Sequence, residues 1–396
     1  MEEKIDPKQL IKTLRVENLC KKAEEYYLKL PYPFFQMSKP FAFIQEAPDL
    51  LCKMGLLLSG LRLGKSMVVM DFGAGSCWLS RFLNQLQCST ISVDASITAL
   101  NIGRMLFDQF PIIGKPLQPP KFIPFDGYTI DVENESVDRI ICFDTFHHIP
   151  NQKEILREFF RALKPGGIAG FCEPGPHHSQ SPQSQYEMRN YEVLENDIVL
   201  SEIKREKDEI GFSDFFAKLI SQPDLELSYH DYMEMTSQNI FPQTVQNHIL
   251  TSMENASLFF LIKGKYMPDS RGHLGLKHTI EIAKTDFRVK LNKPLTFEVT
   301  ISNVGSAIWL HKNIQEIGVV KLGIHLYDSD LKLIDLDFHR SYFDEDILPG
   351  QRITKTISLP FMKRGVYHLA IDLVSELVCW FENMGSGPKF IKVIVE

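Results

Sequence analysis

Between residues 67 and 172 five short apolar runs, MVVM (67–70), TISV (90–93), KFIPF (121–125), RIICF (139–143) and IAGFC (168–172), alternate with helical periodicity near 76–87, 96–109 and 151–163. Runs apolar on both faces belong to strands covered on both sides, and strands alternating with helices form a parallel sheet joined by right-handed crossovers. The pattern predicts a doubly wound, Rossmann-like α/β sheet. LELSYH (225–230) and ASLFFLIK (256–263) bring the expected strands to seven, while a charged stretch ending near 210 and GFSDFFAKLIS (211–221) read as helix.

The flanks follow other rules. Residues 1–66 read as an N-terminal helical cap, with KKAEEYYLKL (21–30) and LLCKMGLLLSGLRLG (50–64) on either side of a loop marked by PYP (31–33). The sheet domain is expected over 67–266, and the polar MPDSRGHLGLKHT (267–279) marks a linker. Beyond it the period switches to two. PLTFEVTISN, VVKLGIHLYD, LKLIDLDF, RITKTISLP, VYHLAIDLV and KFIKVIVE, separated by turns such as NVGS, DSD, LPG and MKRG, predict an all-β sandwich over 280–396.

Bulk properties narrow the function. A net charge of -7, from 43 basic and 50 acidic residues, without a basic cluster interleaved with aromatics, argues against nucleic acid as a partner. The seven cysteines stand singly with no C-x-x-C pair, which favours reduced thiols in a cytoplasmic protein and no zinc or disulfide frame. The N-terminus shows no apolar signal region, and no window reaches the roughly 18 apolar residues of a spanning helix.

The first strand turns into its helix through VVMDFGAGSCWLSR (68–81), and the question is which ligand that turn cradles. A phosphate-binding G-x-x-x-x-G-K-[ST] loop fails because no Lys follows Gly75. A dinucleotide fingerprint needs a third glycine where this chain has Trp78. A nucleoside ligand that carries a carboxylate and cationic centres remains. Asp71 before the glycines supplies an acid for such a ligand, and Asp94 in ISVDAS ends the second strand, where a carboxylate can accept from ribose hydroxyls.

On these residues the chain resembles the class I S-adenosylmethionine-dependent methyltransferases. VVMDFGAGS matches their first motif, ISVDAS their second, ICFDTFHHIP their fourth strand and ALKPGGIAGF (162–171) their turn into the fifth, over roughly 40–265. Cys77 stands where the family usually has a third glycine, a position that tolerates replacement, and the departure bears on loop geometry rather than on function. The resemblance implies S-adenosylmethionine as cofactor. It implies that the backbone of Gly73, Ala74 and Gly75 packs on the methionine part and that Asp71 orients its amino group. Asp94 with Ala95 would take the ribose, Asp126 would lie near the adenine, and Asp144 would line the transfer site.

Methyl transfer needs alignment and, for a hydroxyl acceptor, a base at the carboxyl ends of the strands. DTFHHIP offers His147 and His148; CEPGPHHSQ offers Glu173, His177 and His178. His148 and His178 are the preferred bases, with Glu173 as polariser or alternative base. Paired histidines also raise metal, but acids and cysteines at ligand spacing are sparse, so no metal is expected. The [DN]-P-P-[YFW] box of nucleic-acid amine methylators is missing, which favours oxygen acceptors.

EPGPHHSQSPQSQYEM, NYEVLENDI and the terminal sandwich together resemble a bacterial group of methyltransferases associated with surface-polysaccharide and O-antigen biosynthesis. Through NVGSAIWL (303–310), ILPGQ (347–351) and GVYHLAIDLVSELVCWFENMGS (365–386), the sandwich is similar to carbohydrate-binding domains of polysaccharide exporters. Trp380 or Phe381 could then be a sugar-stacking platform, whereas Trp309 and Trp380 would be core residues in an ordinary sandwich. The expected function is O-methylation of a sugar hydroxyl, nucleotide-linked or on a growing glycan. A phenolic or lipid-like acceptor and a non-catalytic glycan-binding adaptor are the alternatives.

Overall fold

A computed structural model describes residues 4–30, 32–220, 225–361 and 363–396. Pro31 of the expected PYP loop, Ser221 at the end of the expected 211–221 helix and Met362 of the expected MKRG turn lie outside these. The chain divides into two compact units, Met1–Leu63 with Met67–Tyr266, and Gly64–Ser66 with Met267–Glu396.

In the first unit, helices α1 (Pro7–Thr13), α2 (Val16–Lys29), α3 (Phe34–Met37) and α4 (Ala47–Leu61) precede the sheet. The sheet core then follows as β1 (Val68–Phe72), α5 (Trp78–Gln85), β2 (Ser89–Asp94), α6 (Ile97–Gln109), β3 (Lys121–Pro124), β4 (Val137–Phe143), α7 (Gln152–Ala162) and β5 (Leu163–Pro174). The rest of the unit comprises α8 (Pro182–Tyr191), α9 (Leu200–Ile210), β6 (Asp214–Ala217), α10 (Tyr229–Gln238), α11 (Gln243–Asn255) and β7 (Ala256–Ile262). The seven strands lie in the order β3-β2-β1-β4-β5-β7-β6. β1 to β5 pair in parallel, while β7 runs antiparallel to both β5 and β6.

β2 is buried along its whole length and β4 nearly so, as strands with a helical layer on each face must be. On one face, Ile155, Leu156, Phe159 and Ala162 of α7 pack with Met70, Phe72, Ile140 and Phe171. On the other, Leu57 and Leu61 of α4 and Leu79 and Leu83 of α5 pack with Val69, Ile141 and Phe260.

Two expected elements are corrected. GFSDFFAKLIS does not form a helix: Asp214–Ala217 is the edge strand β6, where Phe215 and Phe216 stack on Phe259 and Phe260 of β7. Pairing with a neighbouring aromatic strand overrides a short apolar run that also fits a helix. LELSYH is not a strand, because Tyr229 and His230 open α10, whose N-cap Ser228 accepts from Asp231 N–H.

The second unit is a β-sandwich. Its strands are β8 (His278–Glu281), β9 (Asp286–Val289), β10 (Leu295–Asn303), β11 (Val320–Tyr327), β12 (Leu333–Tyr342), β13 (Arg352–Leu359), β14 (Gly365–Ser375), β15 (Cys379–Trp380) and β16 (Lys389–Val395). They form sheets ordered β13-β10-β8 and β12-β11-β14-β16-β9, with β15 pairing β14. His278 and Thr279, expected as the end of a linker, already lie in β8. Alternate residues of β10 face a core shared with β11, β14 and β16. Trp309 and Phe381 are both buried in that core, 5.4 Å apart edge to face. Trp380 is partly covered: the Arg340 guanidinium lies 4.3 Å over its ring and His325 lies 4.1 Å away.

Candidate active site

At the carboxyl ends of β1, β2 and β4 a cleft of about 520 Å³ opens, within the roughly 300–1,000 Å³ of small-ligand sites. Gly73, Ala74, Gly75, Asp94, Ala95, Asp144, His147, His148 and His178 line it, and so do Tyr27, Gln36 and Lys39 from the N-terminal segment.

The glycine turn is forced by its neighbours. Gly73 has φ of 71° and a methyl group there would overlap the Thr145 side chain; Gly75 has φ of 52° and a methyl would sit 2.6 Å from the Tyr27 hydroxyl. The turn is braced from β2, because Asp94 accepts from Gly75 N–H through Oδ2 and from Ser96 N–H through Oδ1, both at 2.8 Å. Burial, with Glu24 across from it, pushes the Asp94 carboxyl up to about 6. Glu24 of α2 in turn accepts from the hydroxyls of Ser96 and Thr98 and from Thr98 N–H, pinning α2 against the start of α6 beside the cleft.

Cys77, at the family's usual glycine position, has φ of 58°. The turn thus takes a left-handed conformation at a residue that carries a side chain.

Four expected site residues, Asp71, Asp126, His177 and Glu173, lie outside the cleft. Asp71 does not line the cleft; it is buried behind the turn, where it accepts from Ser80 Oγ at 2.7 Å, and burial pushes its carboxyl up to about 6. With Asp71 engaged by α5, Asp94 and Asp144, the latter with φ of 54°, are the expected aspartates that line the cleft. Burial raises the Asp144 carboxyl, but His147, His148, Lys39 and Lys53 outweigh it and hold it below its usual value. Asp126 is exposed and closes its own turn, accepting from Tyr128 and Thr129 N–H at 2.8 Å each; Phe125 and Gly127 line the cleft in its place. His177 is exposed and outside the cleft.

Glu173 is fully buried and serves as an anchor. It accepts from Thr145 N–H at 3.1 Å, from His147 N–H at 3.3 Å and pairs with His147 Nδ1 at 2.8 Å, fixing the loop after β4. With its oxygens so engaged it is no base for an acceptor. Burial works against a charged His147, yet Glu173 beside it raises its pKa overall.

The sequence reading missed Glu195. Leu194 to Asp197 run between the two histidine loops and join them. Leu194 C=O pairs with His148 Nδ1 at 2.6 Å, Asn196 N–H donates to His147 C=O, and Asp197 accepts from Ser179 N–H and Oγ. Glu195 Oε2 thereby lies 2.6 Å from His178 Nε2 and 3.8 Å from His147 Nε2. Since residues 192–199 have no regular structure, no periodicity could have pointed to it. Against a carbonyl, His148 Nδ1 must carry the proton, so its Nε2 keeps a lone pair. Burial, with His147 alongside, lowers the pKa of His148.

Residues 43–213 match the model of a family described as a methyltransferase domain. The matched residues run from α4 through α9 and carry β1 to β5. No curated protein matches the sequence. Solved structures similar to it include a phosphoethanolamine N-methyltransferase 2 from Haemonchus contortus, at 16% identity over 64% of this chain and 61% of that one, with a TM-score of 0.43. The Streptomyces coelicolor geranyl diphosphate C-methyltransferase follows at 12% identity, 61% of this chain, 96% of that one and a TM-score of 0.43. The YcgJ protein of Bacillus subtilis gives 15%, 54%, 98% and 0.37.

Proposed function

We propose that the cleft binds S-adenosylmethionine and transfers its methyl group to a hydroxyl of a sugar, either nucleotide-linked or at a growing glycan end. The observation that carries the reading is the placement of Asp94, the Gly73–Gly75 backbone and His148 in the lining of one cleft. Asp94 would accept from the ribose, and Phe125 and Gly127 would flank the base. Asp144 would balance the cofactor's ammonium, a role the sequence had given to Asp71. The cofactor supplies a methyl group on a sulfonium.

The residues of the chain do the rest. His148 Nε2, its tautomer fixed by Leu194 C=O, takes the acceptor proton. The acceptor oxygen forms its bond to the methyl carbon as the carbon–sulfur bond breaks, the electron pair staying on sulfur. Tyr27, beside Gly75, and the helix that bears it would exclude water from the cofactor.

A sugar acceptor is supported by the polar Gln183, His178 and Glu187 on the cleft wall and by the second unit's sandwich, which we read as a glycan-binding domain. Leu19, Leu50 and Ile149 on the same wall favour a second reading, a lipid-like acceptor. Thermal shift with S-adenosylmethionine, S-adenosylhomocysteine and NAD tests the cofactor; a ligand at 100 times its Kd stabilises by about 2.7 kcal/mol. Stabilisation by NAD alone sinks the proposal. Radiolabelled transfer into nucleotide sugars and glycans, against lipids and phenols, identifies the acceptor class, and binding without transfer to any of them leaves an adaptor.

A further inference from the structure

The two histidine loops and the Leu194–Asp197 segment bring three metal-ligating atoms together at the acceptor end of the cleft. A ring nitrogen of His147, a ring nitrogen of His178 and a Glu195 oxygen all lie within 4.8 Å of one another. We propose that His147, His178 and Glu195 form a binding site for a divalent transition-metal ion of the zinc type. Its catalytic use, though not its existence, rests on the methyltransferase reading above.

The donor set is the first argument. Two imidazoles and one carboxylate suit zinc and its neighbours better than magnesium or calcium, which want oxygen throughout. Three protein ligands also match catalytic rather than structural zinc, leaving a coordination position for water or substrate.

Geometry is the second. Zn–N and Zn–O bonds of about 2.0–2.1 Å at tetrahedral angles put ligand atoms roughly 3.3 Å apart. The observed Glu195 separations, 2.6 Å to His178 and 3.8 Å to His147, bracket that value.

Support behind the ligands is the third. Glu173 pairs with His147 Nδ1 at 2.8 Å and holds the tautomer whose Nε2 lone pair is free, the arrangement by which an outer carboxylate orients a metal-bound histidine. His147 and Glu195 are buried, while the His178 side chain is a quarter exposed, and all three line the cleft. An ion there would face the acceptor. It would polarise the acceptor hydroxyl, whose proton His148 Nε2 then removes, before the oxygen attacks the methyl carbon.

The test is calorimetric titration of untagged, chelator-treated full-length protein with Zn²⁺ alone, paralleled by the visible absorption of Co²⁺. One saturable equivalent is expected, with tetrahedral-type cobalt bands. Glu195→Gln and His178→Gln should each weaken Zn²⁺ by more than 100-fold. Glu173→Gln, which removes only the orienting carboxylate, should weaken it by about 10–100-fold. The other candidate cluster among the described residues, His230, Asp231 and Glu234 on α10, is an exposed helical patch, and His230→Ala should leave the equivalent intact. Should Glu195→Gln fail to fold, the partly exposed His178 provides the variant. Absence of saturable binding, or an equivalent lost with His230→Ala and kept with His178→Gln, overturns the site. S-adenosylmethionine affinity is measured separately on the same samples, so its absence would count against the methyltransferase reading and not against the metal.

Discussion

Cys77 and Gly103 occupy one space: a methyl group placed on Gly103 of α6 would overlap the Cys77 sulfur, and Phe122 closes the gap from β3 at 3.4 Å. The bulk that the glycine turn carries at 77 is thus accommodated one helix away. Gly103→Ala should destabilise the fold by about 1–3 kcal/mol, the usual cost of overpacking. Cys77→Gly should relieve most of that cost in the double variant. Equilibrium urea unfolding of the four-member cycle checks this, and additive effects would show that the two residues do not compete for the space.

Asp94 should make cofactor affinity depend on pH. A carboxyl held at about 6 in the fold, against an unfolded value near 4, favours its protonated form there, so the unliganded fold loses stability as pH rises through that window. Glu24 of α2 raises it from one side, and Asp71, also at about 6, lies behind the turn. Ribose hydroxyls donate more strongly to the ionised acid, whose two oxygens both accept, than to the protonated one. Affinity for S-adenosylmethionine should therefore be full above pH 6 and fall by up to ~10-fold per unit below it. Calorimetry from pH 5 to 8 should show this slope and show it flattened in Asp94→Asn; an unchanged slope in that variant assigns the proton to Asp71.

His148→Gln should lower turnover by about 10²–10⁴-fold while leaving S-adenosylmethionine affinity within a few-fold. Single-turnover kinetics with the acceptor that radiolabelled transfer identifies makes the comparison. Loss of cofactor affinity with chemistry intact would assign His148 to positioning.

Glu173, a candidate base by its sequence position, should instead report on stability. Removing a buried carboxylate that holds Thr145 N–H, His147 N–H and the His147 ring leaves those donors unpaired. Glu173→Ala should cost roughly 3–5 kcal/mol. A variant with native thermal stability and reduced turnover would restore the catalytic assignment.

The sheet core was legible because each strand and each turn carries its own local signal. The apolar runs at 67–172 became β1 to β5, and Gly73, Gly75 and Asp94 fell where the turn spacing put them. Asp71 and Asp126 show where spacing stops informing: both stand at the right positions, but Ser80 and the 126–129 turn claim their carboxylates. At Phe215 and Phe216 the deciding partners, Phe259 and Phe260, lie more than forty residues away, beyond any window of periodicity. Glu195 was illegible for the same reason, since only the closure of an irregular segment onto two distant loops gives it neighbours.

That closure has a temporal side. The turn and its Asp94 brace span residues 73–96 and need only two adjacent strand–helix units, whereas the histidine end joins residues 147, 178 and 195. Low sequence separation favours early assembly, because less chain must be ordered per contact formed. The cofactor end should thus gain amide protection before the acceptor end during refolding, which pulse-labelled hydrogen exchange at Gly75 and Asn196 resolves; simultaneous protection would contradict it. A chain emerging from the ribosome would then own a cradle for its cofactor before it owned any means of choosing an acceptor.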